Sequence, residues 1–335
     1  MINLTTLQLK DQEAQQVQAD IAKLDAADGK TITLNEGGSW GQAVHCFEPD
    51  SPEISALIAA VASRRPLLIS SEPGVGKSSA ARAAAAVLGR RFISAVVQPD
   101  TEYSDLLWNI DHTQRLADAQ LSNKDQLNDM TNYIAPGSLW WAYDWTSAAK
   151  QYKKCGSNFK PHTDSHAPDA ETAGVVLLVD EIDKADISLA NGLLEVLGNG
   201  GFDVPTLESN TVKPALGQHH PLVILTSNDS RELPPALLRR CVNLRVELPT
   251  GEEYHRYLKK IGEAHFPSLK DGILDEAAKQ IIQDRNNCPQ LPRTGLAEYL
   301  DLLRAVASTA ANTQEQHQWL KKLAPYFKKS NVEML

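Results

Sequence analysis

A phosphate-binding loop is the feature that most constrains what this chain can fold into. The segment ISSEPGVGKSSAAR, residues 69–82, contains Gly-Lys-Ser, and the apolar run PLLIS leads into it. In the pattern G-x-x-x-x-G-K-[ST], backbone N–H groups and a helix N-terminus surround phosphate oxygens. Ser71 stands where the pattern has its first glycine, a position that serves mainly the turn out of the strand. The segment keeps every group that would contact phosphate, although a chance match on a loop without a ligand stays open.

The loop supplies ligands for phosphate and for a metal ion. The Lys77 ammonium would reach the β- and γ-phosphates, and the Ser78 hydroxyl would hold Mg²⁺. The predicted nucleotide-binding residues of the loop and of the helix that follows are Pro73, Gly74, Val75, Gly76, Lys77, Ser78 and Ser79. The alanine-rich run SAARAAAAVLG predicts a helix that ends at Gly89. Strand, glycine loop and helix follow one another in the order that this motif requires.

Five short aliphatic runs predict a β-sheet. They are residues 67–70, 92–97, 175–179, 222–226 and 243–248, and helical or loop-like sequence separates each run from the next. Nearly continuous apolar strands that alternate with helices are typical of a parallel sheet covered on both faces. Beyond Pro249 the apolar residues recur with helical spacing instead. We therefore expect an α/β fold, an αβα sandwich with a five-stranded parallel sheet, followed by a small all-helical C-terminal domain.

Composition divides the chain into three parts. Residues 1–45 contain a polar helix followed by a loop or short strand, and their role stays open. Residues 46–249 hold the motifs and are predicted to form the nucleotide-binding domain, and residues 250–335 are predicted to form the helical domain. Within the larger domain, the polar segment 146–174 lacks periodicity, so we expect a mobile insertion there.

Charge and apolar content argue against several classes of partner. A net charge of -9 argues against a broad nucleic-acid surface. The longest apolar runs are far shorter than the roughly 20 residues that span a bilayer, and the N-terminus lacks the pattern of a secretory signal. The four cysteines show no C-x-x-C spacing, which argues against a disulfide framework or a zinc ribbon. We expect a cytoplasmic protein that does not bind a membrane, and nucleic acid is not the favoured partner, although a local basic stripe stays open.

Two adjacent carboxylates follow the third predicted strand. The run VVLLVDEIDKAD places Asp180 and Glu181 at the end of a wholly apolar segment. Because parallel sheets carry their ligands at the carboxyl ends of strands, these side chains should lie beside the phosphate loop. Asp180 would complete the Mg²⁺ site with Ser78, largely through water, and Glu181 would deprotonate a water that attacks the γ-phosphate. The alternative is an acidic strand end that caps the next helix, a role that suits Asp183 and Asp186 better.

Two further polar features follow these carboxylates along the chain and could contribute to the same site. The run LVILTSND places Asn228 at the end of the fourth strand, where its amide could orient the attacking water. Simple turn formation is the alternative. The run ELPPALLRRC supplies Arg239 and Arg240 after a short helix. An arginine offered in trans can accelerate phosphoryl transfer by about 10³–10⁵, and a solvated surface pair is the alternative.

Taken together, SEPGVGKS, LLVDEIDKA, LTSN and LPPALLRRC resemble the AAA+ ATPases, and within them the MoxR-type or dynein-related branch, over roughly residues 49–307. The resemblance implies a P-loop NTPase fold in which the phosphate loop is Walker A, Asp180 and Glu181 are Walker B, and Asn228 is sensor 1. Arg240, followed by a cysteine, matches the arginine finger better than Arg239 does. The run LPRTGLAEYL looks like sensor 2 in a helical lid, which nominates Arg293 as the lid arginine that feels the nucleotide; decoration of its own helix is the alternative.

The resemblance also implies a function. Such a protein would be a ring-forming, Mg²⁺-dependent ATP hydrolase, chaperone-like, hexameric in most relatives, that remodels or activates a partner protein, often one with a von Willebrand factor A domain. Residues 199–220 would form a hairpin inserted before sensor 1, and the tryptophans of residues 140–145 are expected in the core. Two alternatives stay open, an AAA+ ATPase that acts on nucleic acid and a nucleotide-switched scaffold that does not hydrolyse.

Overall fold

The structure is a computed structural model that describes residues 4–34, 44–121, 127–156, 173–204, 211–214, 218–287, 293–309 and 312–329. The β-strands of these residues are β1 (Thr31–Thr33), β2 (Val44–Cys46), β3 (Leu67–Ser70), β4 (Arg91–Val96), β5 (Trp108–Ile110), β6 (Ile134–Pro136), β7 (Val175–Asp180), β8 (Phe202–Asp203), β9 (Thr211–Val212), β10 (Leu222–Ser227) and β11 (Val242–Arg245). The α-helices are α1 (Leu4–Asp25), α2 (Pro52–Ser63), α3 (Lys77–Leu88), α4 (Tyr103–Leu107), α5 (His112–Gln120), α6 (Ser138–Tyr143), α7 (Trp145–Cys155), α8 (Ile187–Asn199), α9 (Pro235–Arg240), α10 (Gly251–His265), α11 (Asp271–Asn287), α12 (Leu296–Thr309) and α13 (Thr313–Phe327).

A five-stranded parallel sheet organises the larger part of the molecule. Its strands lie in the order β11-β3-β10-β7-β4, and every neighbouring pair is parallel. Ser70 at the end of β3 pairs with Ser227 of β10, and Val96 of β4 pairs with Asp180 of β7, so these strands end at one edge. The sheet predicted from the five aliphatic runs is confirmed. The fifth run was predicted to continue to residue 248, but β11 ends at Arg245, and Leu248 packs against the helical domain instead.

Both faces of this sheet are covered, which explains why its central strand is apolar throughout. Val176 and Leu178 of β7 belong to a core formed with α2 and α3. Leu177 and Val179 face the other way, into a core that includes Trp140 and other side chains of α6 and α8. Successive side chains of a strand point to opposite faces, so a strand between two cores needs apolar residues at every position. Trp140 and Trp141 are fully buried there, as predicted, and Trp145 is half-buried against the same core.

The N-terminal segment is part of the α/β domain. Helix α1 packs against α2 and α3, and Leu24 and Leu34 are buried in their core. Strands β1 and β2 pair antiparallel, with Thr31 opposite Cys46. The predicted boundary at residue 46 therefore falls inside a hairpin. The mostly polar surface of α1 concealed this packing, because only a few of its positions are apolar.

The two predicted insertions differ from one another. Within 146–174, the residues up to Cys155 belong to helix α7, whose N-terminus is capped by Asp144 accepting from the Ser147 N–H at 2.9 Å. Buried Gln151 donates to the carbonyls of Thr131 and Ile134, at 2.6 and 2.8 Å. An irregular insertion is therefore wrong for this first part, because Ala148 is buried in the core and Gln151 is hydrogen-bonded to its surroundings. Residues 157–172 lie outside the described part. In 199–220, strands β8 and β9 pair antiparallel, and residues 205–210 are likewise not described.

The helices α10 to α13 form the C-terminal domain. Tyr254, Leu258 and Ile261 of α10 are buried, as are Leu300 and Leu303 of α12, and all five belong to one core. The helical spacing predicted for these residues is confirmed. Because this domain begins within a few residues of the end of β11, it lies at the same edge of the sheet as the phosphate loop.

Candidate nucleotide-binding site

The phosphate loop joins β3 to α3 through two left-handed glycines. Gly74 has φ of 78° and Gly76, the N-cap of α3, has φ of 104°. Ser71 is not among the positive-φ residues, and its N–H donates to the Ser227 carbonyl at 3.3 Å. Serine is therefore tolerated at the position of the first glycine, because the turn there does not need the conformation that favours glycine.

Lys77 is buried in the loop. Only 8% of this residue is exposed, and its Nζ donates to the carbonyls of Ser71 and Glu72 at 3.0 and 3.1 Å and to Asn228 Oδ1 at 2.7 Å. Burial lowers the pKa of Lys77, and the nearby carboxylates, led by that of Asp180, oppose this shift only in part. The ammonium is thus held in place by neutral oxygens, a situation that an anionic ligand would improve.

The two predicted magnesium ligands lie side by side. Ser78 Oγ donates to Asp180 Oδ2 at 2.9 Å, and the other carboxylate oxygen of Asp180 accepts from the Thr226 hydroxyl. Asp180 is only 4% exposed. Thr226 Oγ1 also accepts from the Glu181 N–H at 2.9 Å, so one hydroxyl positions both carboxylate residues. Sequence reasoning missed Thr226, although it precedes Asn228 by only two positions in the fourth strand.

Glu181 and Asn228 meet at the carboxyl edge of the sheet. Glu181 has φ of 61°, so the chain turns sharply at the end of β7. Its Oε1 accepts from Asn228 Nδ2 at 3.2 Å, and its Oε2 lies 2.5 Å from Lys184 Nζ. Because the Asn228 amide also accepts from Lys77, it connects the ammonium to the Glu181 carboxylate. Sequence reasoning did not foresee the contact with Lys184, three residues along the chain.

Asp183 holds the turn that carries Asn228. Its carboxylate accepts from the N–H groups of Asn228 and Ser230, at 3.2 and 3.0 Å. Burial would raise the pKa of Asp183, but the hydrogen bonds from Ser230 and Asn228 outweigh it and the pKa is lowered. The capping role suggested for Asp183 is therefore wrong, whereas Asp186 caps α8 as predicted, accepting from the Ser188 N–H at 2.9 Å.

Two lid arginines face the phosphate loop. Arg293 Nη1 lies 3.7 Å from Glu72 Oε1, so the predicted lid arginine is placed beside the loop. Arg285 makes the shorter contact, with its Nη2 at 2.6 Å from Glu72 Oε2. A Cβ atom at Gly74 would lie 2.9 Å from the Cβ of Ala297, so the lid also packs directly on the loop. Neither Arg285 nor Glu72 was singled out from the sequence, because their pairing joins segments that no motif connects.

Arg239 and Arg240 lie on α9, apart from this network. Arg65 donates to both of their carbonyls, and Arg240 Nη1 donates to the Leu194 carbonyl at 3.3 Å. Within the residues that the structure describes, no hydrogen bond or ion pair joins either arginine to Lys77 or Glu181. The structure therefore does not bring the predicted arginine finger to the nucleotide edge of its own chain.

A cavity opens between the loop and the lid. It encloses about 790 Å³, including its open mouth, and the described residues that line it come from β2, the loop, the segment after β11 and the lid, among them His45, Val75, Gly76, Tyr257 and Leu296. His45 Nδ1 lies 3.0 Å from Ser79 Oγ, and its Nε2 lies 3.1 Å from Glu53 Oε2. Burial lowers the pKa of His265, which also lines the cavity, to about 4. The cavity thus lies next to the first turn of α3, with polar and apolar side chains in its lining.

A sequence profile of the AAA domains of the dynein-related subfamily matches residues 66–241, which is more than half of the chain. The chain belongs to this family. AAA domains are ATPase modules that bind ATP, typically with Mg²⁺. Oxygen ligands suit that ion, and the two predicted ligands, Ser78 and Asp180, are oxygen donors that lie 2.9 Å apart. Among the described residues, no group of three or more His, Cys, Asp and Glu side chains is arranged to hold a metal ion.

Among solved structures, the chain is similar to the RuvB Holliday junction branch migration motor of Thermotoga maritima. The two are 15% identical with a TM-score of 0.42, over 82% of this chain and 68% of that one. It is also similar to a Cytophaga hutchinsonii protein named as a presumed ATPase, at 13% identity and a TM-score of 0.39, over 95% of this chain and 86% of that one. No curated protein matches the chain. Among the described helices of this AAA protein, none combines the length and apolar composition needed to cross a bilayer.

Proposed function

We propose that the protein is a ring-forming, Mg²⁺-dependent ATP hydrolase of the MoxR-type branch, which converts ATP and water to ADP and phosphate in order to remodel or activate a partner protein. The observation that carries the proposal is the connection from Lys77 through Asn228 to Glu181, beside the Ser78 and Asp180 pair. This arrangement places a cation, a metal site and a candidate base at one edge of a rigid sheet.

The loop and the cavity account for ATP binding. The oxygens that Lys77 now contacts are neutral, so a β- or γ-phosphate would compete for its ammonium as a charged acceptor. The N–H groups of the loop and of the first turn of α3 would bind the remaining phosphate oxygens. The base and sugar would occupy the cavity, which opens beside the loop and is lined by side chains of the lid such as Tyr257 and Leu296.

The residues around Asp180 fit a magnesium ion. Ser78 Oγ and the Asp180 carboxylate are hard oxygen donors within 2.9 Å of one another, and Thr226 fixes the carboxylate. When bound, Mg²⁺ neutralises charge that develops on the phosphates during transfer. The chain's own contribution is to hold the two oxygens at the edge of the sheet, where the phosphate loop ends.

Glu181 is the proposed general base. Asn228 donates to its carboxylate and, since Asp183 holds the Asn228 backbone, the carboxylate has a fixed orientation. From that position Glu181 would accept a proton from a water that attacks the γ-phosphate. Its contact with Lys184 must lengthen or be shared when the water is in place, because both carboxylate oxygens are engaged.

Ring assembly would complete the site. Arg240 has no contact with the nucleotide edge of its own chain in the described residues, so we propose that it serves the site of a neighbouring subunit, in a ring that is hexameric as in most relatives. The lid would change its angle to the larger domain according to the nucleotide bound, a shift of populations driven by contacts to the triphosphate. We further propose that the protein acts in the cytoplasm on a partner with a von Willebrand factor A domain.

Two variants test both hydrolysis and sharing of the site. Glu181→Gln should bind ATP yet lose turnover by roughly 10²–10⁴, the usual contribution of a general base. Arg240→Ala should lose turnover for lack of the arginine. A mixture of the two should recover activity, because a subunit with intact Glu181 can be completed by a neighbour with intact Arg240.

A control variant and two contrary results complete the test of Glu181 and Arg240. Glu263→Gln removes an exposed carboxylate from the lid helix α10 and should leave turnover unchanged. Wild-type turnover in Glu181→Gln would remove this residue from the mechanism. Co-assembled mixtures without any recovery would count against an arginine supplied in trans, while leaving the hydrolytic role of Glu181 intact.

A further inference from the structure

The phosphate loop carries a carboxylate that the proposed hydrolysis does not use. Glu72 precedes Pro73 in the loop, and both of its oxygens face the lid, Oε2 towards Arg285 at 2.6 Å and Oε1 towards Arg293 at 3.7 Å. One carboxylate thus faces two guanidinium groups, and the three side chains together carry one surplus positive charge.

The two ion pairs of Glu72 differ in length and exposure. Arg285 Nη1 also donates to the Thr294 carbonyl at 3.2 Å, its guanidinium lies 5.7 Å from the centre of the Tyr254 ring, and its side chain is 16% exposed. Arg293 is 37% exposed, and its distance to Glu72 is too long for a hydrogen bond. The ion pair of Glu72 with Arg285 is therefore the stronger of the two, and the longer, more exposed pair with Arg293 is the one that a stronger anion can replace.

We propose that Glu72 competes with the terminal phosphate of bound ATP for Arg293, and thereby sets how strongly the site prefers triphosphate over diphosphate. This inference rests on the proposed function, since it needs a nucleotide on the loop. Carboxylate and phosphate oxygens bind guanidinium groups with the same planar geometry, so each can replace the other. A γ-phosphate takes Arg293 while Arg285 continues to neutralise Glu72; a diphosphate lacks that group and leaves Arg293 with Glu72.

The position of Glu72 connects this exchange to the lid. The Glu72 carbonyl accepts from Lys77, so the residue belongs to the same loop that would hold the phosphates. Its side chain lies against two lid arginines, and Ala297 packs on Gly74 two residues further along. Transfer of Arg293 from carboxylate to phosphate therefore moves a lid contact from one part of the loop to the nucleotide itself.

The test compares the affinities of two nucleotides. Glu72→Gln keeps the shape of the side chain and removes its charge. Calorimetric titrations with Mg²⁺ and either ADP or a non-hydrolysable ATP analogue should show that the ratio of the two dissociation constants shifts towards the triphosphate by roughly two- to fivefold, the size expected of one partly exposed ion pair.

Two controls separate this effect from a general change of charge. Asp229→Asn removes a carboxylate that acts on Lys77 and pairs with Arg245, outside the lid, and asparagine tolerates its positive φ of 55°. It should tighten both nucleotides with little change in their ratio. In an Arg293→Gln background, Glu72→Gln should no longer shift the ratio, because the group for which the two anions compete is gone.

Each contrary outcome has a distinct meaning. An unchanged ratio in Glu72→Gln, or a shift that persists without Arg293, overturns the inference and leaves the nucleotide site standing. Wild-type protein that is folded and binds neither nucleotide overturns the proposed function, and the competition with it.

Discussion

The two edges of the five-stranded sheet both bury charged side chains, but they hold them in different ways. At the carboxyl edge, Lys77 is bound by neutral carbonyl, hydroxyl and amide oxygens. At the amino edge, Arg90 Nη2 lies 2.5 Å from Asp20 Oδ2, and these side chains are only 4% and 2% exposed. His219 Nδ1 lies 3.3 Å from the same Arg90 nitrogen. Within the described part of the chain, no carboxylate lies at ion-pair distance from Lys77, whereas Arg90 and Asp20 form an ion pair.

The difference fits the proposed function, in which Lys77 binds a ligand, whereas the Asp20 and Arg90 pair contributes to stability. Burial lowers the pKa of Lys77, which means that the charged form is less stable there than in water. At the amino edge, burial would raise the pKa of Asp20, but bonds and charges from His219 and Arg90 outweigh it and the pKa is lowered. The charge of Asp20 is therefore stabilised within the chain, whereas that of Lys77 awaits an anion.

Breaking the amino-edge pair should have the larger effect on stability. Arg90→Met leaves the Asp20 carboxylate buried without its partner, so we expect the free energy of unfolding to fall by about 3–5 kcal/mol. Lys77→Met removes a cation whose charged form is already disfavoured by burial, so we expect a smaller loss of unfolding free energy than for Arg90→Met, although several hydrogen bonds to neutral oxygens are lost. Denaturation in urea, followed by circular dichroism, measures both.

A double variant tests the reason for this difference. In Arg90→Met with Asp20→Leu both charges are gone, and much of the lost stability should return, because replacing a buried pair with apolar groups is often neutral or favourable. Equal losses for Arg90→Met and Lys77→Met would contradict the comparison between the two edges.

Acidification should also reduce the stability that Asp20 contributes, but by less than Arg90→Met does. Because the pKa of Asp20 is lower in the folded chain than its unfolded value of about 3.9, its contribution is fully present above that value and is lost as the pH falls through the folded pKa. The difference in unfolding free energy between wild type and Asp20→Asn should therefore be constant near pH 6 and shrink below about pH 4. A difference that grows on acidification would show that Asp20 is protonated in the folded protein.

The features that could be predicted from the sequence are those with a local sequence pattern. The five strands were recognisable because apolar runs alternate with helices, and the positions of Asp180, Glu181 and Asn228 followed from the strands that they end. The helical domain followed from its periodicity. In each case a local pattern was enough to place the residues.

The remaining features depend on contacts between distant segments. Asp20 and Arg90 are 70 residues apart, and Glu72 and Arg285 are 213 apart, so neither pair has a local signature. The true role of Asp183, which holds the Asn228 turn, also depends on a neighbouring strand. Helix α7 is a different case, because its apolar stripe of Trp145, Ala148, Ala149 and Tyr152 is a local pattern that the sequence reading overlooked among polar neighbours.

Binding of Mg²⁺ and ATP by calorimetry tests the central claim most directly. Folded wild-type protein should take up one nucleotide per chain with a measurable heat, and Lys77→Met that circular dichroism shows to be folded should take up little or none. Wild-type protein that is folded and gives no heat with ATP, or a Lys77→Met variant that binds as tightly as wild type, would contradict it.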